Sequence, residues 1–272
     1  MWSRDPSKDG PTGAPAFNAP LFRQLRVARG VVLGEPLVAV GETTSTNDLA
    51  LDAADAGARH GALFIAEEQT KGRGRHGHTW TSPAGENLTF SVLLRPGVDV
   101  VRASGLALVI GLAVRAASAR RAPAERVAIK WPNDVVVGTQ KLAGILVESR
   151  LRGGEIEALV AGIGLNVGMR SLPEEIRTVA TSLALLGDPS PGRESVLVDV
   201  LAELEPRLDD FREGGLGALL PELRQHDALY GVRIVAGGVR GTGAGIDADG
   251  ALLVRDRDGR IDRVTAGSVE RE

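Results

Sequence analysis

The sequence of 272 residues contains no cysteine. Disulfides, thiolate metal centres and a cysteine nucleophile are therefore excluded. No run of about 18 uncharged apolar residues occurs, so no membrane-spanning helix is expected. The opening residues, MWSRDPSKDG, lack the apolar stretch of a secretory signal. With no export signal, the cytoplasm is the expected compartment. Excess positive charge is missing as well: 32 Lys and Arg face 35 Asp and Glu, a net charge of −3. That leaves no global field to gather nucleic acid.

Other scarcities point to places in the chain. Of the 32 basic residues only Lys8, Lys71, Lys130 and Lys141 are lysine. Asn occurs at 18, 47, 87, 133 and 166, and Trp at 2, 80 and 131. The chain is otherwise rich in Arg, Ala and Gly. A lysine that persists in such a chain marks a position where a compact point charge serves and a planar fork does not. The hydrophobic fraction of 43% and the charged fraction of 25% are ordinary for a folded protein. The length suggests about two domains.

Residues 1–30 read as a disordered tail, rich in Pro and Gly up to about residue 20. Residues 31–227 mix strand-like and helix-like segments, and 228–272 read as short strands parted by Gly and Asp-Gly turns. In the middle region, strands are expected over 37–41, 62–68, 87–95, 126–131, 135–137, 141–150 and 157–168. Helices are expected over 45–58, 102–120, 173–177, 193–213 and 216–226. The strands follow one another as hairpins and not as βαβ units. An α+β fold is therefore predicted, with a mixed or antiparallel sheet, helices on one side, and a small C-terminal barrel.

Four stretches carry candidate chemistry. The first is QTKGRGRHG at 69–77. Gly72, Gly74 and Gly77 match G-x-G-x-x-G after a strand, but HTWTSPAGEN follows, which cannot open a helix. The dinucleotide reading fails on that context. No Gly-Lys-Ser/Thr follows either, so the loop is not a P-loop. What remains is Arg73, Arg75 and Lys71 among glycines that let backbone N–H groups approach an anion. With no acids in the loop, it is expected to be mobile until an anion arrives. A blander reading is a solvated turn.

The second stretch is KWPND at 130–134, followed by Lys141. Pro132 ends a strand and places Lys130, Asn133 and Asp134 at its end. Lys141 opens the next strand and should return close to Asp134. The blander reading is a turn capped by its own Asn and Asp. The third is GIGLNV at 162–167, whose glycines interrupt a strand and suggest either a close approach or a bulge. The fourth is Thr44, Ser45, Thr46 and Asn47 at a helix start, an N-cap cluster or a set of donors facing a ligand.

In this order and spacing the stretches resemble those of the biotin protein ligases. The similar pieces are STN (45–47), EEQTKGRGRHGHTW (67–80), GENL (85–88), KWPNDV (130–135), KLAGILVE (141–148) and GIGLNVG (162–168). The resemblance implies the class II synthetase-like fold of biotin and lipoate ligases, with an SH3-like C-terminal barrel. It also implies a two-step reaction: biotin and MgATP give biotinyl-5'-AMP, then a lysine of a biotin carboxyl carrier domain takes the biotinyl group. Residue by residue, Ser45, Thr46 and Gln69 correspond to contacts of the ureido ring, and Asn47 to the biotin-binding set beside them. Arg73, Gly74 and Arg75 correspond to the loop over carboxylate and phosphate, and Lys141 to the cation at the reacting centre. Trp80, Lys130, Asn133 and Asn166, with Arg75, fall on the ATP side, and Asp134 on the catalytic set. No metal ligand set is assigned, but ATP-borne Mg²⁺ is expected near Asp134 and Asn166. Some members carry an N-terminal helix-turn-helix domain. About 35 Pro- and Gly-rich residues precede the first strand here, so a ligase without DNA binding is expected. The competing enzyme is a lipoate or octanoate ligase or transferase of the same fold.

Overall fold

A computed structural model describes residues 16–77, 79, 80, 82–95, 97, 99–122, 127–189 and 191–272. The tail's residues 1–15, His78 and Arg126 lie outside the described residues. The chain runs through α1 (Ala19–Ala28), β1 (Leu37–Thr43), α2 (Thr46–Asp55), β2 (Leu63–Gln69), β3 (Leu88–Leu94), α3 (Val100–Ala103) and α4 (Leu106–Ala119). It continues with β4 (Val127–Lys130), β5 (Asp134–Val137), β6 (Gln140–Arg152), β7 (Glu155–Leu165), α5 (Arg193–Gly214) and α6 (Leu220–His226). It ends in β8 (Arg233–Ala236), β9 (Val239–Ile246), β10 (Leu252–Arg255), β11 (Ile261–Val264) and β12 (Val269–Arg271).

The large sheet has the order β1-β2-β3-β7-β6-β5-β4. Only β1 and β2 pair in parallel, so the sheet is mixed. Alternation along the strands sorts their side chains by face. Leu63 and Ile65 of β2 and Leu88, Phe90, Val92 and Leu94 of β3 join the main core with α4 and α5. Phe64 and Leu93 point to the opposite face, where they pack with Ala50 and Ala54 of α2. Helices thus cover one side, except for α2, which lies on the other. The site lies with α2. The small sheet, β11-β10-β9-β8-β12, is antiparallel and its two edge strands are not paired with each other. Its Ile234, Ile246 and Leu252, with Leu229 just before it, belong to the same core as the large sheet.

Two local expectations are corrected. Part of the expected tail is helix α1, capped by the Asn18 side chain, which accepts from the Leu21 amide at 3.0 Å. Pro20 sits in its first turn, where a missing N–H costs nothing. The Phe17 amide donates to Glu67 and the Asn18 amide to Glu194, so tertiary contacts hold the segment. Residues 173–177 form turns and not a helix, because Pro173 and the short run leave too few residues for one.

Candidate active site

The N-terminus of α2 starts the site. Ser45 is extended and its hydroxyl accepts from the Asn47 amide at 3.3 Å, so the N-cap reading of the Ser-Thr-Asn cluster holds. The cap also leaves Thr46 and Asn47 buried against the sheet. Thr46 N–H donates to Gln69 Oε1 at 2.7 Å. Ser91, on β3 and fully buried, lies 2.7 Å from Thr46 Oγ1 and 2.6 Å from Asn47 Oδ1. Asn47 Nδ2 donates to Glu148 Oε2 at 2.6 Å.

The glycines of β7 make room for two of these neighbours. A Cβ on Gly162 would lie 2.3 Å from Asn47 Oδ1, and one on Gly164 2.2 Å from the Trp80 ring. The close-approach reading of GIGLNV therefore holds, and β7 keeps register with β3 across it without a bulge. Trp80 packs against this strand at Gly164. Its indole Nε1, like the hydroxyl of Thr89, is buried with no hydrogen-bond partner. Both line the cleft, so a ligand acceptor would find two donors without a partner.

The glycine-rich loop folds back on itself. Arg73 bridges to Thr79, and the Trp80 amide donates to the Gly72 carbonyl at 3.0 Å. The expectation of a loop uncompensated by acids is corrected. Arg73 binds Asp48 through two bonds of 2.7 and 3.1 Å and reaches Glu148 at 3.2 Å. These acids come from α2 and β6, far away in sequence, so loop composition alone could not reveal them. The Arg73 bond holds the Asp48 carboxyl below its usual range, and Asp48 in turn raises the Arg73 guanidinium. Arg75 differs. It is half-buried, burial pushes its guanidinium down, and Asp134 pulls the other way. Among the described residues no carboxylate pairs with Arg75 or Lys130. An arginine remains charged despite such a shift, so the cleft holds cations that await an anion.

Lys141 returns to Asp134 as the hairpin predicted, with Nζ 2.7 Å from Oδ1. The same Nζ stands 5.6 Å from the centre of the Trp80 ring. The hairpin turn uses Gly138 at φ +61, a left-handed conformation that suits glycine. Asn133 Nδ2 donates to the Ile145 carbonyl at 2.7 Å, which holds the strand end beside β6.

These groups line one cleft of about 240 Å³. Ser45, Thr46, Asn47, Gln69, Arg73, Gly74, Arg75, Trp80, Lys130, Asn133, Asp134 and Lys141 all face it. Asn166 does not. It is buried, and its amide donates to the Thr181 carbonyl at 2.9 Å. Four contributors were not signalled by the motifs: Ser91, Thr89, Glu148 and the Gly267–Val269 turn of the small sheet. Ser91 and Thr89 sit in a strand that reads as plain core. Glu148 ends the KLAGILVE stretch, where its residue type alone gives no role. Among the described residues, no three His, Asp or Glu side chains converge to hold a metal.

The sequence profile of the Biotin/lipoate A/B protein ligase family matches residues 40–166. A Mycobacterium tuberculosis biotin–[acetyl-CoA-carboxylase] ligase is 40% identical over 240 residues, spanning 85% of this chain and 86% of that protein. This chain belongs to the biotin protein ligase family. The Escherichia coli bifunctional ligase/repressor BirA is 34% identical over 229 residues, covering 83% of this chain and 70% of that protein. Among solved structures, a biotin protein ligase from Aquifex aeolicus in complex with biotin and ATP superposes with a TM-score of 0.75 at 30% identity. That match covers 88% of this chain and 100% of the other. Membership of the biotin protein ligase family agrees with a cleft lined both by a small buried polar pocket and by clustered cations.

Proposed function

We propose that this chain joins biotin to a lysine of a biotin carboxyl carrier domain, using ATP and passing through biotinyl-5'-AMP. The observation that carries this is the single cleft in which the Thr46–Gln69–Asn47 pocket and the cations Arg73, Arg75, Lys130 and Lys141 meet. A cyclic urea needs a few fixed polar partners in a buried pocket. A carboxylate attacking a triphosphate needs positive charge to offset repulsion between two anions.

In the first step a biotin carboxylate oxygen bonds to the α-phosphorus of ATP. The bond from that phosphorus to the bridging oxygen breaks, and pyrophosphate leaves with the electron pair. Lys141 stabilises the charge at the reacting phosphoryl group, and Arg73 and Arg75 hold the carboxylate and the phosphates. In the second step the acceptor lysine amine attacks the acyl carbon, AMP leaves, and the amine loses its proton. Trp80 offers its ring to the adenine, and the loop shields the mixed anhydride from water. Mg²⁺ would arrive with the nucleotide and neutralise phosphate charge. Asp134 is the carboxylate in the cleft able to touch it, which suits an ion that keeps most of its ligands as water and phosphate. Asn166 acts at one remove, by fixing the segment around Thr181 beside β6.

The test is biotin-dependent exchange of label between pyrophosphate and ATP, followed by mass spectrometry of a carrier domain incubated with chain, biotin and MgATP. Exchange and one modified lysine are expected. Exchange with lipoate and none with biotin overturns the reading.

A further inference from the structure

Glu148 is shared between the ligand pocket and the loop. Its Oε2 accepts from Asn47 Nδ2 at 2.6 Å and from the Arg73 guanidinium at 3.2 Å. We propose that Glu148 is a positioning residue that sets the donor–acceptor polarity of the biotin pocket and ties that pocket to the Arg73 loop. The proposal deepens the ligase reading and rests on it.

The Asn47 atom facing Glu148 must be the nitrogen, since a carboxylate only accepts and the Leu146 carbonyl, 3.4 Å away, only accepts too. Asn47 Oδ1 therefore faces Ser91 and can only accept. Ser91 has one hydroxyl proton, and the 2.6 Å contact commits it to Asn47. With the Ser91 proton on Asn47, the Thr46 hydroxyl has two acceptors in reach, the Ser91 oxygen at 2.7 Å and Gln69 Oε1 at 3.1 Å, and the shorter contact directs its proton to Ser91. Thr46 Oγ1, its proton spent, presents lone pairs to the pocket. Gln69 Oε1 keeps the Thr46 backbone N–H. A ligand N–H fits this arrangement, and a cyclic urea has two. A dithiolane ring or a bare acyl chain has none. Asn47, Thr46 and Ser91 are all buried, so water cannot rescue a reversed polarity.

In Glu148→Gln the short contact no longer selects the Asn47 nitrogen, because its partner can now donate as well as accept, and only the 3.4 Å contact with the Leu146 carbonyl still holds the amide's orientation. The chain of hydroxyls then loses its direction. The test is calorimetric titration of the full chain with biotin, in the wild type, Glu148→Gln, Ser91→Ala and the double variant, each first shown to melt cooperatively. Glu148→Gln is expected to weaken biotin about tenfold, the scale of one hydrogen bond left mismatched. In the Ser91→Ala background, where the relay is already cut, the same change should cost less than about twofold, the signature of coupled residues. If Ser91→Ala does not fold, Asn47→Ala replaces it in the cycle. An unchanged affinity for Glu148→Gln, or an equal loss in both backgrounds, overturns the proposal while leaving the ligase reading intact. A wild-type chain that binds no biotin overturns both.

Discussion

At the scale of single residues, two positions lend themselves to direct tests of the cleft. Gly164 carries the Trp80 ring where a Cβ would stand 2.2 Å from it. Gly164→Ala must therefore lift the indole off β7. The expected result is a red-shifted, more quenchable Trp80 emission and a raised KM for ATP in the exchange assay, with biotin affinity little changed. A wild-type KM with an unmoved spectrum would show that the ring does not meet the nucleotide. Lys141 is the second position. Its pair with Asp134 is part-exposed, and such pairs contribute roughly 0–1 kcal/mol to folding. Lys141→Ala should thus melt within a few degrees of the wild type. Its exchange rate should still fall by about a hundredfold or more, as expected when a preorganised charge is removed from a transition state. These residues were legible in the sequence because lysine is so scarce: three of the four lie in the motifs, and Lys130 and Lys141 face the cleft. Asn166, equally scarce, is buried, donates to the Thr181 carbonyl and does not line the cleft. Scarcity marks a position that needs its side chain and does not say whether the need is chemical or structural.

At the scale of elements, legibility followed local pattern. The hairpin from β4 to β6 announced itself through Pro132 and Gly138, and α2 through its cap. Helix α1 did not, because its stability comes from Glu67 and Glu194, which receive its leading amides. Ser91 was hidden because β3 reads LTFSVLL, a buried strand on both faces. The junction after α6 makes a testable case. Asp227 bridges to β4 at Ile129 and takes the Leu229 amide at 2.8 Å on Oδ1, while Oδ2 is buried without a partner. Burial raises its carboxyl above the ordinary 3.8, against the pull of the Leu229 and Tyr230 amides. The folded state thus keeps this proton to higher pH than the unfolded chain does. The contribution is fully present below the unfolded value and is lost as pH rises through the folded one. Asp227→Asn, which cannot ionise, should flatten the decline in melting temperature on going up from pH 4. An identical pH profile for wild type and variant would mean that the carboxyl is solvated at the junction.

At the scale of the molecule, the small sheet is part of the site. The core runs on from the large sheet into β8, β9 and β10, and Trp131 Nε1 donates across the junction to the Gly250 carbonyl at 2.9 Å. The Ala228 amide, 2.8 Å from the Ile129 carbonyl, adds a backbone tie. The turn before β12 then brings Gly267, Ser268 and Val269 into the cleft wall. In the strand order, the Thr46–Gln69 pocket belongs to the β2 and β3 side, and the small sheet that carries this turn joins the large one at β4, through the Trp131–Gly250 and Ala228–Ile129 contacts. At about 4.8 Å per strand, the two ends are roughly 20 Å apart across the sheet. A bulky side chain at Ser268 should therefore obstruct the nucleotide end alone. Ser268→Trp is expected to raise the KM for ATP at least about fivefold, a cost near 1 kcal/mol at 25 °C, and to leave calorimetric biotin affinity within twofold. Because one core spans both sheets, the variant should still unfold in the single transition expected of the wild type. Two resolved transitions would separate the sheets energetically. Weakened biotin binding with normal ATP kinetics would reverse the assignment of the two ends of the cleft.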